Sequence, residues 1–342
     1  MSFKRFDAED LVISAEPVAQ PIWSTNEPKL TAFHTSSVQE QEPSGQYYLD
    51  VYHLNPATEI AADIQFSITF GHKTGGGTEL YNNTVPGKSP SASIYGQYRT
   101  LVLGDEDSEF YFGGVAQEYF YALTFDRDRY KEALLPGSFE LTLAKGQDTI
   151  TLIDDSKIST TAVNTDAGRV YQLILGNLDN GVDDTHNDNG YSAAAGSYGL
   201  LIPSIGVVIL NGVALDAAVA SGGLALGTVY TPDTAGGNLA RLFDAINDTA
   251  AKSFKLNSQE TISSQFVFVR ARNSEFNYST NPSNITGSGD LRHDIMVNAP
   301  QSYVTAVGLY NDNNELLAVA KLSRPLLKDF TKEALVRVKL DF

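Results

Sequence analysis

Three consecutive glycines at 75–77, followed by Gly-Lys-Ser at 87–89, raise the possibility of a loop that binds nucleotide phosphates. Such a loop needs a glycine, four spacer residues and then Gly-Lys-Ser/Thr, because backbone N–H groups wrap the phosphates while the lysine reaches them. Asn82 occupies the first glycine position here. A helix should also begin directly after the serine, and Pro90 disfavours one. We therefore predict a solvated loop without a bound nucleotide.

Segment 179–190 has the residue types of a cation site. Its potential ligands are Asp179, Asp183, Asp184, His186 and Asp188. An EF-hand loop places oxygen ligands at alternate positions, then a glycine and later a bidentate Glu. Aligning Gly190 with that glycine puts Thr185 at the first ligand position and Gly196 at the last, so the motif fails. A turn-rich solvated loop is favoured, and a looser calcium or magnesium site stays open.

Carboxylates also cluster at 105–107 and at 154–155. Glycoside hydrolysis needs two carboxylates on opposite sides of one bond, and neighbours within one loop do not supply that arrangement. The five histidines are not spaced as a helical metal pair, and no GxSxG motif occurs. The absence of cysteine excludes disulfides and thiolate chemistry. We predict no catalytic residue, no cofactor and no resident metal, and hence a protein that is not an enzyme.

Most elements that would position these residues are predicted to be strands. Apolar residues alternate with polar ones over 64–70 and over 139–143, which puts one face of each strand in a core. Asn211-Gly212 lies between two apolar runs and predicts a tight hairpin. A second hairpin should turn at 311–314. The final segment, from 334 onward, should form a strand that buries Val336, Val338 and Leu340.

Helices are predicted to be few. Apolar residues recur at helical intervals over 238–252, with Asn238 as the expected N-cap. One or two helical turns are expected from Tyr130, ending at Pro136 and Gly137. The fold class is therefore mainly β, with antiparallel sandwich-like sheets, long loops and one helix.

Domain organisation is predicted from the same patterns. Residues 1–45 lack sustained alternation and contain four prolines, which favours an extended N-terminal arm. A β-rich N-terminal body should follow at 46–165, and a β-rich C-terminal body with the helix at 166–342. The polar segment around 165 sets that boundary, although a loop would explain it equally well.

Charge and aromatic content indicate the kind of partner. The net charge of −17 predicts repulsion from nucleic acids and from anionic membranes. No uncharged apolar run is long enough to span a bilayer. Alternating charges at 126–129 lie beside Phe125 and Tyr130 and suit either surface ion pairs or contact with a partner. The 17 tyrosines and 17 phenylalanines are typical of interaction proteins.

Four segments, 95–143, 198–216, 266–285 and 303–342, resemble virion structural proteins of contractile-tailed phages, in particular T-even-like myoviruses of cyanobacteria. The resemblance covers about half of the chain. It implies a virion location, and it implies other virion proteins and copies of the same chain as partners. In a virion protein, the glycine-rich segment 71–93 is expected to be a loop that contacts a neighbouring subunit. It carries over no catalytic residue and does not identify the part.

Three function classes follow. The first is an assembly component of the tail, baseplate or neck, favoured by the resemblance and the extended arm. The second is a receptor- or glycan-binding module on the virion surface. The third is a polysaccharide-degrading enzyme, which would need a carboxylate pair brought together by the fold.

Overall fold

The computed structural model describes residues 4–36, 48–77, 89–183, 190–192, 194–229 and 237–341. The chain divides into two compact units. Unit 1 comprises Met1–Pro17 and Thr261–Phe342, and unit 2 comprises Val18–Glu260. Among the described residues, no helix is both long enough and apolar enough to span a membrane.

The structure is mainly β, as predicted. Its strands are β1 (Leu11–Pro21), β2 (Lys29–Leu30), β3 (His34–Thr35), β4 (Tyr48–Tyr52), β5 (Ile64–His72), β6 (Phe110–Phe112), β7 (Val115–Gln117), β8 (Tyr119–Thr124), β9 (Ala133–Leu134), β10 (Glu140–Lys145), β11 (Asp148–Asp154), β12 (Val163–Thr165), β13 (Gly168–Asn177), β14 (Gly181–Val182), β15 (Gly199–Ile202), β16 (Val207–Asn211), β17 (Ser253–Lys255), β18 (Asn257–Ala271), β19 (Gln301–Tyr310), β20 (Leu316–Asp329) and β21 (Ala334–Asp341). The α-helices are α1 (Pro90–Leu103), α2 (Gly212–Asp216), α3 (Gly237–Asn247) and α4 (Ile295–Asn298).

Unit 2 is built on one large sheet with the strand order β2-β17-β10-β11-β13-β15-β16-β8-β5-β4-β3. The pairings along it that the structure defines are antiparallel. The central strands β8, β15 and β16 are buried on both faces. Tyr95, Tyr98 and Val102 of α1 pack on one face, and α3 belongs to the larger core on the other.

An aromatic cluster joins distant parts of this sheet. The ring centroid of Trp23 lies 5.0 Å from that of Phe254, 6.1 Å from that of Phe125 and 6.5 Å from that of Phe66. Phe254 on β17 and Phe66 on β5 are 5.4 Å apart, although β17 and β5 lie near opposite ends of the strand order. The sheet therefore turns back on itself and closes a shared core, which agrees with the predicted antiparallel sandwich-like fold.

Unit 1 combines two thin layers. In the first layer β18 lies between β1 and β21, and β21 pairs with β18 over eight residue pairs. The second layer is the antiparallel hairpin of β19 and β20, which we call the ribbon. The predicted turn at 311–314 and the predicted final strand are confirmed. Asn314 adopts the left-handed conformation at the turn, and Val338 is buried while Val336 and Leu340 are half-buried.

The predicted arm over residues 1–45 extends too far. β1 is exposed along nearly its whole length, but the chain then enters the core of unit 2 at Ile22 and Trp23. Leu30 pairs with Phe254, and Phe33 is buried in the same core. The alternation rule missed this segment because single residues, rather than a long strand, supply the contacts. Residues 37–45 lie outside the described residues.

A boundary at 165 is not observed. β11 precedes this position and β13 follows it, and Leu152 pairs with Leu175 in the same sheet. The chain instead passes between the two units within β1 and within β18. A polar turn that connects neighbouring strands has the same composition as a linker between domains, so composition alone did not distinguish them.

Three local predictions were wrong. Asn211 does not form a hairpin turn with Gly212; its side chain caps α2, and the hairpin of β15 and β16 turns instead at 203–206. No α-helix forms from Tyr130, because Leu134 pairs with Ser258. The helix predicted at 238–252 is present as α3, but Asn238 lies within its first turn rather than at an N-cap.

The aromatic cluster of unit 2 yields a stability prediction. Phe254 is fully buried and contacts the only tryptophan, so Phe254→Ala should leave a cavity and cost about 3–5 kcal/mol. Trp23 fluorescence during urea unfolding should report a lower midpoint for unit 2. The matched control is Phe330→Ala, because Phe330 is exposed in unit 1. Equal midpoints for wild type and Phe254→Ala would contradict the shared core.

Candidate functional site

The glycine segment is held by the start of α1. Ser89 is the N-cap; its hydroxyl accepts from the N–H of Ala92 at 3.5 Å and donates to the carbonyl of Gly75 at 2.6 Å. The hydroxyl of Ser91 donates to the carbonyl of Gly76 at 2.8 Å. Pro90 stands at the first helical position, where its missing N–H costs nothing. The expectation that Pro90 opposes a helix was therefore wrong.

This correction removes one argument against a phosphate-binding loop and leaves the other. Asn82, Gly87 and Lys88 lie outside the described residues. The contact-loop interpretation of this segment stays a prediction. Within the described part, the hydroxyls of Ser89 and Ser91 are used to fasten the glycine segment to α1.

A connected series of polar side chains, beginning at His72, adjoins the same glycine segment. The ring of His72 stacks on Tyr119 with 5.8 Å between centroids, and its Nδ1 accepts from the N–H of Thr74 at 3.2 Å. The hydroxyl of Tyr119 donates to Asp216 at 2.8 Å, and Asp216 accepts from the backbone N–H groups of 227–228. Burial lowers the pKa of His72 below its ordinary 6.5. These contacts position the loops on either side of them.

The carboxylates at 154–155 act on the backbone. Asp154 is buried and accepts from the N–H groups of Gly137, Phe139 and Ser156 at 2.8–3.3 Å. Asp155 accepts from the N–H of Gln172 at 2.9 Å, and burial raises the pKa of Asp155. Both side chains therefore hold turns together, and they do not face a common reacting group.

The cluster at 105–107 is a surface turn beyond the end of α1. Asp105 accepts from the N–H of Asp107 at 2.9 Å and from the hydroxyl of Ser108 at 2.7 Å. These hydrogen bonds hold the pKa of Asp105 below its ordinary value. Asp107 also borders an open cleft that Glu109, Tyr111, Asn164 and Asp166 line.

The cation site left open at 179–190 falls partly outside the described residues, which include Asp179 and Asp183 but not Asp184, His186 or Asp188. In the described part of the chain, no group of three His, Asp or Glu side chains could hold a metal ion.

The two arginines among the alternating charges at 126–129 make different contacts. Arg129 bonds to the hydroxyl of Ser24 and lies 3.8 Å from Asp63, so it ties the Trp23 segment to the loop before β5. Arg127 stacks over the ring of Tyr130 at 4.8 Å. Within this motif, at least Arg129 therefore has a structural role.

Exposed apolar surface is concentrated in unit 1. Of the 22 large apolar side chains exposed in the described residues, 14 belong to unit 1, which is less than a third of the chain. They are Phe6, Leu11, Val12, Ile13, Tyr278, Ile295, Val297, Tyr303, Leu316, Leu317, Val319, Leu326, Phe330 and Leu335. Scattered exposed residues need no explanation, but a concentration of this kind makes unit 1 the candidate interaction surface.

The core of unit 1 is correspondingly small. Its hydrophobic cluster consists of the buried residues Val267, Leu309 and Val338, surrounded by half-buried residues of the same two layers. Each layer turns one face inward to this cluster. The opposite faces keep their apolar side chains in water, at a cost of about 1.5–3 kcal/mol for each large side chain that could be buried.

A buried lysine stabilises the ribbon without a carboxylate partner in the described contacts. Lys328 of β20 is completely buried, and its ammonium donates to the carbonyls of Asn273 and Asp329 and to Oδ1 of Asn277 at 2.7–3.0 Å. The lysine thus ties the loop after β18 to the base of the ribbon. This arrangement leaves the exposed faces of the ribbon on a fixed support.

Charge divides between the units as unevenly as apolar surface does. Unit 1 holds 11 Lys and Arg against 12 Asp and Glu, and unit 2 holds 13 against 29. Unit 2 therefore carries nearly all of the chain's net negative charge. Long-range repulsion between chains acts mainly through unit 2, so unit 1 is the part that other acidic surfaces can approach at least cost.

No protein-family model, curated protein or solved structure matches this chain.

Sequence reasoning placed the ribbon and the final strand correctly but did not identify their outer faces as the surface of interest. The signal was present in 316–319, where consecutive apolar residues occur in a two-stranded hairpin that can bury only one face. Recognising it required knowledge that the outer side chains of the ribbon stay exposed in the described part of the folded chain.

The buried histidine predicts a pH dependence of unit 2. A lowered pKa means that the unfolded chain binds the proton more tightly, so stability should be complete above pH 6.5 and fall as the pH drops below it. His72→Gln should flatten this part of the profile, measured as the Trp23 unfolding midpoint in urea against pH. The exposed His293→Gln is the control. Parallel profiles for wild type and His72→Gln would refute the assignment.

The lysine of the ribbon yields a matched pair of variants. Lys328→Met removes the donor from three acceptors, of which Oδ1 of Asn277 is buried, and should cost roughly 2 kcal/mol. Lys321→Met changes an exposed residue of the same strand and should cost little. Hydrogen exchange of the β19 and β20 amides measures both effects. Equal exchange in the two variants would show that the hydrogen bonds of Lys328 do not stabilise the ribbon.

Proposed function

We propose that this chain is a structural component of a phage virion that assembles through protein–protein contacts in the tail, baseplate or neck. Its partners are other virion proteins and copies of itself. The observation that carries the proposal is the concentration of exposed apolar side chains on unit 1, beside a small hydrophobic cluster centred on three buried residues. Surfaces of this kind are buried in the functional state of an assembling protein.

Two further features support this role. Unit 2 buries its central strands on both faces and has a large core of its own. The near-neutral unit 1 can dock where a strongly acidic body would be repelled. The sequence resemblance to virion proteins of contractile-tailed phages gives the assembly its context.

The test is the location of the chain in purified particles. Particles from the source of this chain are purified by density, labelled with an antibody raised against unit 2, and imaged by electron microscopy. The proposal predicts label at one defined position on the tail, baseplate or neck, with a fixed copy number by quantitative mass spectrometry. Absence of the chain from purified particles would refute a structural role.

The cleft at the end of α1 favours the glycan-binding alternative. Tyr111 is 57% exposed there, and Asp107, Glu109, Asn164 and Asp166 line the same open cleft. Carboxylate and amide oxygens accept hydrogen bonds from sugar hydroxyls, while an exposed aromatic ring offers an apolar face.

A glycan array separates the two functions. Binding of a host-envelope glycan that is lost in Tyr111→Ala and kept in Tyr48→Ala would establish the receptor function, since Tyr48 is exposed elsewhere on unit 2. An array without any specific signal would leave assembly as the function supported.

A further inference from the structure

The two faces of the ribbon differ in what covers them. On the inner face, Val307 pairs with Ala320 and Leu309 pairs with Ala318, and these residues pack on the cluster of Val267 and Val338. Because side chains alternate along a strand, the residues between them face the other way. The other face therefore points away from the Val267 and Val338 cluster, and Leu317 and Val319 on it are exposed.

We define the outer ribbon face by Leu316, Leu317, Val319 and Lys321. A register shift at Leu309 and Tyr310 interrupts the alternation, so that Leu316 lies on the same face as Leu317. Leu317 is 68% exposed, and Leu316 and Val319 are each 53% exposed. A Cβ at Gly308 would lie 2.9 Å from the ring of Tyr310 and 3.4 Å from Leu316, so these two side chains close over the glycine. The result is a low, continuous apolar surface.

Charges are placed at the two ends of this surface with opposite signs. Asp312 and Glu315 stand at the turn, and Lys321 and Arg324 stand further along β20. No charged residue lies between Glu315 and Lys321. At about 3.3 Å per residue, the apolar stretch spans roughly 16–20 Å.

We propose that the outer ribbon face binds the same face of a second copy of this chain in a two-fold, antiparallel arrangement. A two-fold axis near Leu317 brings Asp312 and Glu315 of each copy to Lys321 and Arg324 of the other, with Leu317 and Val319 in contact at the centre. The proposal rests on the assembly role proposed above and names one of its contacts.

The charge pattern is what selects a second copy. One face carries both halves of the pattern, so it is complementary to itself under a two-fold rotation. A parallel arrangement would place Lys321 against Lys321 and is disfavoured. Unit 1 is also close to neutral, so its own charges add little long-range repulsion to such a contact.

The size of the face sets the expected strength. A two-stranded ribbon of this length offers on the order of 400 Å² per copy, about half of the roughly 800 Å² per partner in a standard stable interface. Isolated chains should therefore form a weak, concentration-dependent dimer. Within a particle, the high local concentration would strengthen the same contact.

Sedimentation equilibrium of the full chain over a range of concentrations tests the contact. Wild type should show a monomer–dimer equilibrium. Leu317→Asp should abolish it, because a carboxylate would be buried at the centre. Leu335→Asp, which changes a residue on β21 that is 59% exposed, is the matched control and should leave the dimer intact.

Charge exchange provides the second arm. Asp312→Lys and Lys321→Glu, made singly, should each weaken the dimer about tenfold or more, because the two-fold axis repeats every repulsive contact. The double variant restores the opposite charges and should restore the dimer, as should an equal mixture of the two single variants. Melting curves and circular dichroism check that each variant is folded.

A wild-type chain that stays monomeric at its highest soluble concentration would overturn the inference. Single-variant losses that the double variant does not reverse would also overturn the two-fold arrangement. These outcomes are distinct from failure of the assembly role. A monomeric chain found in purified particles refutes only the dimer, whereas a dimeric chain absent from particles refutes only the virion role.

Discussion

A β-layer has two faces, and the burial of both faces is the constraint on which this structure depends. In unit 2 the sheet turns back on itself around Trp23 and Phe254, and α1 covers part of its other face. Unit 1 has only a three-stranded layer and a ribbon, which cover each other once. Its outer faces remain apolar and exposed because nothing in the described chain is left to cover them.

This imbalance separates a self-sufficient body from a part that gains stability by association. The net charge follows the same division, since unit 2 carries nearly all of the net negative charge and unit 1 is nearly neutral. A charged body keeps chains apart in solution, while a neutral apolar surface allows a chosen contact. The hydrogen bonds of Lys328 connect the base of the ribbon to the loop after β18, and so support the ribbon that carries this surface.

The sequence predicted those elements whose residues alternate between a buried and an exposed face. The ribbon turn and the buried row of β21 follow from alternation and turn chemistry alone. Prediction from the sequence was wrong where one residue type is common in two kinds of structure. Asn211 is typical of a hairpin turn but caps α2, and Pro90 is typical of a loop but begins α1. The place of Trp23 in the core depends on strands more than two hundred residues away, which no local pattern reveals. The candidate surface was missed for the same reason, because exposure is a property of the whole fold.

The central claim is that the apolar faces of unit 1 are covered in the assembled state. Hydroxyl-radical footprinting of the free chain and of the chain in purified particles measures this residue by residue. The account predicts strong protection of Tyr303, Leu317 and Phe330 in particles, with little change at Tyr48 in unit 2. Equal labelling of the three unit 1 side chains in both states would contradict the claim.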